Sequence, residues 1–211
     1  PMPHVVLLGD STFDNAAYVA GGPDVPTQLQ AHLPHDWRVS LVAVDGDRTQ
    51  DVAPQLQRLP PDTSHLIVSV GGNDALDNLD FLAAPAASVA AALEGLAGIA
   101  EGFERAYHRM LQAVLESRLP TAFCTIYHPR FPDPVLQRLA ITALTVFNDV
   151  IVRAAFTTGA PLLDLRLICN ADVDYANPIE PSVVGGEKIA RAIATLVQGH
   201  DFVKGRTAVF A

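Results

Sequence analysis

The feature that most restricts how this chain can fold is an alternation of short, unbroken apolar runs with longer segments of helical period. Val5–Leu8, Val39–Val44, His65–Val70, Thr121–Ile126 and Pro161–Leu163 are mostly apolar at successive positions rather than at every second one. Strands of that kind are buried on both faces, as in a parallel sheet between two helical layers. Between the runs, Val25–Leu33, Gln50–Leu59, Ala86–Ser117 and Val135–Thr158 read as helices, and a last helix is expected from Val183 to Val197. In the fourth segment Leu136, Ala140, Ala143, Leu144, Phe147 and Ile151 form a stripe of 3.6-residue period, which defines its buried side. The expected fold is therefore a flavodoxin-like three-layer α/β/α sandwich on a parallel five-stranded sheet.

Prolines punctuate the pattern. Pro129, Pro132 and Pro134 close the strand that ends at Ile126 and delay the next helix, and Pro178 and Pro181 do the same before the last one. No internal repeat, charge block or low-complexity linker divides the chain, so residues 1–211 are expected to form one domain. At 211 residues with 49% hydrophobic side chains, such a domain can bury a substantial core.

Composition also narrows the function. A formal charge of −9 and no cluster of Lys or Arg leave nothing to follow a phosphate backbone, so nucleic acid is not an expected partner. Cys124 and Cys169 lie in apolar runs and read as buried thiols rather than a disulfide. The first apolar run leads straight into Gly9-Asp10-Ser11 without a basic n-region or a cleavage site, so this chain shows no signal peptide and a cytoplasmic location is expected. Leu82–Ala100 has little charge but contains Pro85, Glu94, Gly95 and Gly98, and reads as a soluble helix rather than a membrane span. Oligomeric state is not legible.

In an open parallel sheet, ligands bind beyond the carboxyl ends of the strands. Those ends carry Gly9-Asp10-Ser11-Thr12-Phe13-Asp14-Asn15, then Asp45-Gly46-Asp47, then Gly71-Gly72-Asn73-Asp74. A serine just past a strand, beside glycines that admit a substrate to the backbone, suits nucleophilic attack on a carbonyl. The backbone N–H groups of Ser11 and Gly46 and the side-chain amide of Asn73 can supply three donors to the oxyanion that forms. Each motif alone also makes an ordinary turn.

Together they resemble the SGNH/GDSL hydrolase family: Gly9-Asp10-Ser11 in its first block, Gly46 in its second, Gly71-Gly72-Asn73-Asp74 in its third, and Pro181-Ser182 followed by Gly185-Gly186-Glu187-Lys188-Ile189-Ala190 near the end of its last. The resemblance implies that Ser11 is nucleophile and first oxyanion donor, with Gly46 and Asn73 as the second and third. It also exposes a departure. The family carries an aspartate and, three residues later, a histidine before Pro-Ser, whereas this chain has Asn177 and Glu180.

Glu180 stands where the proton acceptor belongs. A free carboxylate is the weaker base, with a pKa of roughly 4.3 against 6.5 for imidazole, but burial raises it, and it needs no third residue to fix a tautomer. Its alternative role is an anion near the start of the last helix. Among the seven histidines only His128 follows a strand end on the productive edge, as a competing base or a substrate contact. Asp14, Asn15, His128 and Asn177 are taken as substrate contacts. Asp10 and Asp74 read as structural acceptors, Asp164 as a helix cap or rim contact, and Phe13, Tyr127 and Phe131 as pocket lining or simple packing.

The expectation is a serine esterase or acylhydrolase that cleaves a small-molecule ester through an acyl-enzyme on Ser11, with no metal and no cofactor. The rival is a ligand-binding protein on the same fold that has lost turnover with the histidine. A phosphate-binding loop at Gly9–Thr12 is disfavoured because Asp10 opposes an anion and no dinucleotide or P-loop pattern is present.

Overall fold

The computed structural model describes residues 2–211, which form six strands: β1 (His4–Gly9), β2 (Arg38–Leu41), β3 (His65–Ser69), β4 (Thr121–Cys124), β5 (Leu162–Leu163) and β6 (Val209–Phe210). They are parallel throughout, in the order β2-β1-β3-β4-β5-β6. The helices are α1 (Val25–His32), α2 (Val52–Leu56), α3 (Gly72–Leu76), α4 (Val89–Glu116), α5 (Pro134–Thr158), α6 (Leu165–Ile168) and α7 (Val183–Gly199).

The three-layer parallel architecture is the one the apolar runs predict, with one strand more than the five expected. β6 pairs Val209 with Leu162 and Phe210 with Leu163. Two residues near the chain's end carry no period to read, and backbone pairing alone makes the strand. The expected strand Val39–Val44 stops at Leu41, after which the amides of Val42 and Ala43 both turn to the Leu7 carbonyl. The expected helix Gln50–Leu59 is a 3₁₀ turn, Thr49–Asp51, followed by the short α2.

Alternate residues of each strand enter opposite cores, as the pleat requires. Val5, Leu7, Ile67, Ala122, Cys124 and Leu163 meet α1 and α7 on one face. Val6, Leu8, Leu66, Val68, Phe123 and Leu162 meet α2, α4 and α5 on the other. Cys124 and Cys169 are buried free thiols, as expected.

Caps set where the long helices begin. Ser88 accepts from the Ala91 amide at the start of α4, Asp133 from Val135 and Leu136 ahead of Pro134 in α5, and Ser182 from Val184 and Gly185 in α7. Gly159, at φ 70°, ends α5 in the left-handed conformation. By length and composition α5 passes as a membrane span. Its Phe147, Val150, Ile151, Ala154 and Ala155 are nevertheless committed to the core against the sheet. In α4 the buried residues run from Phe103 to Val114, and in the stretch from Val89 to Gly102 Ile99 alone packs, partly buried, against the core.

Strand order reverses at β1, which has β2 on one side and β3 on the other. Loops leaving a sheet there open a crevice. Its geometry depends on Gly9, at φ 124°, where a Cβ would lie 1.7 Å from the Ser69 carbonyl oxygen. That oxygen accepts from the Asp10 amide at 3.1 Å and cannot withdraw without breaking the crossing. Gly9→Ala should cost at least about 3 kcal/mol, from left-handed strain and a backbone clash together, measured as a lower midpoint in urea unfolding.

Candidate active site

Three chain segments meet at this crevice. The first is the turn after β1, where the Asp10 carbonyl accepts from the amides of Phe13 and Asp14, both at 3.1 Å, and Asp10 Oδ1 accepts from the Thr12 amide at 3.0 Å. Ser11 sits at the apex of that turn, and its N–H has no backbone partner among the described residues. Burial pushes the Asp10 carboxyl up to about 6, against the two Thr12 hydrogen bonds that lower it. The structure thus gives Asp10 the loop-holding contacts expected of it.

The second segment is the loop after β2 with its partner α3. Asn73, in the crevice lining, donates from Nδ2 to the Asp47 carbonyl at 2.9 Å, which fixes the amide and leaves its second hydrogen free. Asp74 Oδ2 accepts from the amide and hydroxyl of Thr49 at 3.0 and 2.9 Å, and Asp77 is forked by Arg48, with Nη2 to Oδ1 at 2.8 Å. Gly46, exposed and at φ 85°, offers an N–H without a backbone partner, although it does not line the crevice itself. Behind them lies Gln55, fully buried, which accepts from the Gly9 amide at 2.8 Å and donates to the Gly9 carbonyl at 2.7 Å and to Asp47 Oδ2 at 2.8 Å. One side chain therefore joins the strand that carries Ser11 to the loop that anchors Asn73. Sequence reasoning missed Gln55, because a glutamine in an amphipathic helix gives no sign that its amide will replace sheet hydrogen bonds.

The third segment carries Glu180. Ser11 Oγ donates to Glu180 Oε1 at 3.1 Å, and both residues are buried, at 7% and 6% exposure. Glu180 Oε2 is buried with no hydrogen-bond partner among the described residues. Burial is the main cause that raises the Glu180 carboxyl to about 7. The charges of Asp10 and Asp45 act the same way, and the Ser11 hydrogen bond opposes them.

Four further residues hold this segment. Asn177 Oδ1 accepts from the amides of Ile179 and Glu180 at 2.9 and 3.0 Å, and Tyr127 Oη donates to the Ile179 carbonyl at 2.6 Å. The Ala176 amide donates to the Glu180 carbonyl at 2.9 Å. Asn15 reaches across from the first loop, accepting from the Val25 amide at 2.9 Å and donating to the Pro181 carbonyl at 3.4 Å.

Ser11, Asn73 and Glu180 thus share one crevice, whereas the four residues taken as substrate contacts have other positions. Asn15 is fully buried, with its amide between the Val25 amide and the Pro181 carbonyl, and Asn177 is exposed, with its Oδ1 on the backbone of Ile179 and Glu180. Asp14 accepts from the Asp45 amide at 3.0 Å, joining the first two loops. His128 is half-buried outside the crevice lining, and burial with the nearby Arg166 and Arg130 charges holds its imidazole below the usual range. Asp164 caps α6 and accepts from Thr125 Oγ1. Of the three aromatics, Tyr127 and Phe131 line the crevice, and Phe13 is buried in the core between the sheet, α1 and α7.

The crevice encloses about 900 Å3, open solvent at its entrance included. Beyond its polar residues it continues between α3, α4 and α5. Among the described residues no group of His, Cys, Asp and Glu is arranged to hold a metal ion.

A buried serine hydroxyl on a carboxylate, beside amide donors at a strand-order reversal, belongs to the carboxylic ester hydrolases of the α/β/α class. The chain is a member of the GDSL-like lipase/acylhydrolase family, whose model matches residues 7–183. No curated protein matches it by sequence. Similar solved structures include an extracellular lipase from Streptomyces rimosus, 21% identical over 89% of this chain and 96% of that one, with a TM-score of 0.64. Others are phospholipase A1 from Streptomyces albidoflavus, at 14% identity, 93% and 99% coverage and a TM-score of 0.67, and an aryl esterase from M. smegmatis, at 14%, 93% and 98%, and 0.64. At these identities the likeness is one of fold.

The raised carboxyl has a consequence for stability. Its usual value is 4.5 and its folded value about 7, so the native state resists an ionisation that the unfolded chain undergoes freely. The resulting penalty is absent below the lower value, grows between the two and is complete above the higher. Glu180→Gln removes it, and should therefore raise the melting temperature over wild type more at about pH 8 than at about pH 4, in paired calorimetric scans.

Proposed function

We propose that the protein hydrolyses a small-molecule carboxylic ester through an acyl-enzyme on Ser11, with Glu180 as general base. The observation that carries the reading is the 3.1 Å contact from Ser11 Oγ to Glu180 Oε1. As Oγ attacks the ester carbonyl carbon, its proton passes to the Glu180 carboxylate. The negative charge moves to the carbonyl oxygen, where the Ser11 and Gly46 N–H groups and the free hydrogen of the Asn73 amide donate to it. Collapse of the tetrahedral intermediate breaks the bond to the alkoxy oxygen, and the Glu180 carboxyl returns its proton to that oxygen. Water then attacks the acyl-serine with Glu180 again accepting the proton, which releases the acid and restores the hydroxyl.

Glu180 suits this cycle because its acidity is placed near neutrality, with the carboxyl raised to about 7. A base must be unprotonated at rest yet able to hold a proton for the leaving group, and efficiency is greatest when its pKa lies near the working pH. The carboxylate also needs no partner to choose a tautomer. That agrees with Asn177 bonding the backbone of Glu180 where a histidine would require an aspartate.

The reading sets three expectations. A fluorophosphonate should label Ser11, located by peptide mass spectrometry, and Ser11→Ala should abolish hydrolysis of a p-nitrophenyl ester. kcat/KM should rise with pH through about 7, and Glu180→Gln should lose about 100- to 10,000-fold while Glu180→His restores part of the loss. Retained turnover in Glu180→Gln with loss in His128→Ala would transfer the role to His128. Asn73→Ala should lower kcat by about 100- to 1,000-fold with little change in KM, since that bond tightens as charge develops. Steady-state kinetics on the purified variants decide each point.

A further inference from the structure

The crevice at Ser11 is polar at one end only. Past Asn73 its wall is hydrocarbon: Leu76 of α3, Leu79, Phe81 and Leu82 of the following 3₁₀ turn, and Leu96 and Ile99 of α4. α5 supplies Ala140, Ala143, Leu144 and Phe147. Asn78 is the one polar side chain of this wall, with one amide hydrogen donated to the Asp74 carbonyl at 2.9 Å, and the charged residues of the lining, Asp10 and Glu180, both lie at the Ser11 end.

The space exists because small residues face it. Ala75, Ala140 and Ala143 leave room between the helices, and Gly95 lets Phe81 lie flat on α4, where a Cβ would stand 2.6 Å from Phe81 Cε2. Phe103 and Ile126 close the base under Gly71, and Phe103 braces Phe147 at 4.8 Å between ring centroids.

The chemistry at Ser11 fixes which half of an ester enters this space. The alkoxy oxygen must come within reach of Glu180 to collect its proton, so the alcohol lies toward Ile179, Pro129 and Phe131. These stand together because Tyr127 Oη bonds the Ile179 carbonyl at 2.6 Å and the Arg130 amide bonds the Pro178 carbonyl at 2.7 Å. The substituent on the other side of the carbonyl carbon runs past Asn73 into the hydrocarbon space.

We propose that the gap between α3, α4 and α5 is an acyl-chain subsite, and that the substrates are esters of medium-length, apolar acyl groups rather than acetates. The proposal rests on the ester hydrolase reading above. A charged or hydroxylated acyl group would lose its hydration in the gap with only the Asn78 side chain to bond in return, while each methylene that enters leaves water.

Two ester series separate the sides of the carbonyl. With p-nitrophenyl esters from acetate to decanoate, kcat/KM should climb by about two- to fourfold per added methylene until the gap is full. With alkyl acetates of growing alcohol length the rise should be much shallower. Ala143→Phe fills the gap and should lower the octanoate-to-acetate ratio by about tenfold or more, and Ala143→Leu, the smaller intrusion, should lower it in the same direction if the phenylalanine variant melts early.

Binding gives a second readout. Ser11→Ala cannot turn over methyl octanoate, and its calorimetric titration should show binding that Ala143→Phe weakens. A flat or falling acyl series, a steeper alcohol series, or a ratio untouched by filling Ala143 overturns the subsite while hydrolysis itself stands. Absence of all hydrolysis, with methyl octanoate still bound and displaced by Ala143→Phe, overturns the hydrolase reading and keeps the subsite.

Discussion

The crossing of Gly9 over Ser69 is the contact on which the site depends. Only a residue without a side chain lets β1 and β3 close to that separation, and their loops leave the sheet side by side because of it. Ser11 follows two residues after the crossing and Asn73 four residues after Ser69, so a single backbone approach sets the distance between them. Gln55 secures it from behind by replacing the hydrogen bonds that the Gly9 peptide gives up where the ladder ends. From there constraint passes outward through Asp47 to Asn73 and through Asn15 to Pro181, next to Glu180. The polar residues around the crevice serve largely to hold backbone.

Putting a carboxylate where an imidazole is expected changes the electrostatics of the whole corner. In a chain of net charge −9, Asp10 and Asp45 are near enough to Glu180 to add to burial in raising its pKa, and no cation offsets them at the Ser11 contact. The lysine and arginine partners lie further out, with Arg48 on Asp77, Arg166 on Asp164 and Lys188 on Asp174. Burial and like charge therefore act in one direction on Glu180, and a carboxyl group acquires the acidity of a histidine.

Much of this was legible in the sequence, for physical reasons. Doubly buried strands are apolar on both faces, so β1 and β3 stand out, and a helix that covers a sheet must keep a stripe, so α5 does too. The loop motifs fall where a parallel sheet puts its ligands, and that brought Ser11 and Asn73 into consideration, while Glu180 entered through the resemblance of its block to the family's last one. What remained hidden is set by contacts distant along the chain. β6 has two residues and exists through pairing with β5. Asn15 and Asn177 carry side chains suited to substrate or to backbone, and nothing local distinguishes the two uses. The hydrocarbon gap is built from alanines and leucines whose own segments read as ordinary helix faces, so it emerges only when three helices come together.

The exposed half of α4 has a further consequence. Leu96 and Ile99, which wall the crevice, belong to the stretch before Phe103 that has no fully buried residue and touches the core only through the partly buried Ile99, and Gly95 and Gly98 interrupt it. Each interior glycine weakens a helix by about 1 kcal/mol relative to alanine, and helix without tertiary packing is marginal in water. The cost of local unfolding is then lower in these turns than in the turns from Phe103 to Val114 pinned to the sheet. Amide exchange will report the two halves of this single helix as separate units, and the crevice has its most yielding boundary on that side.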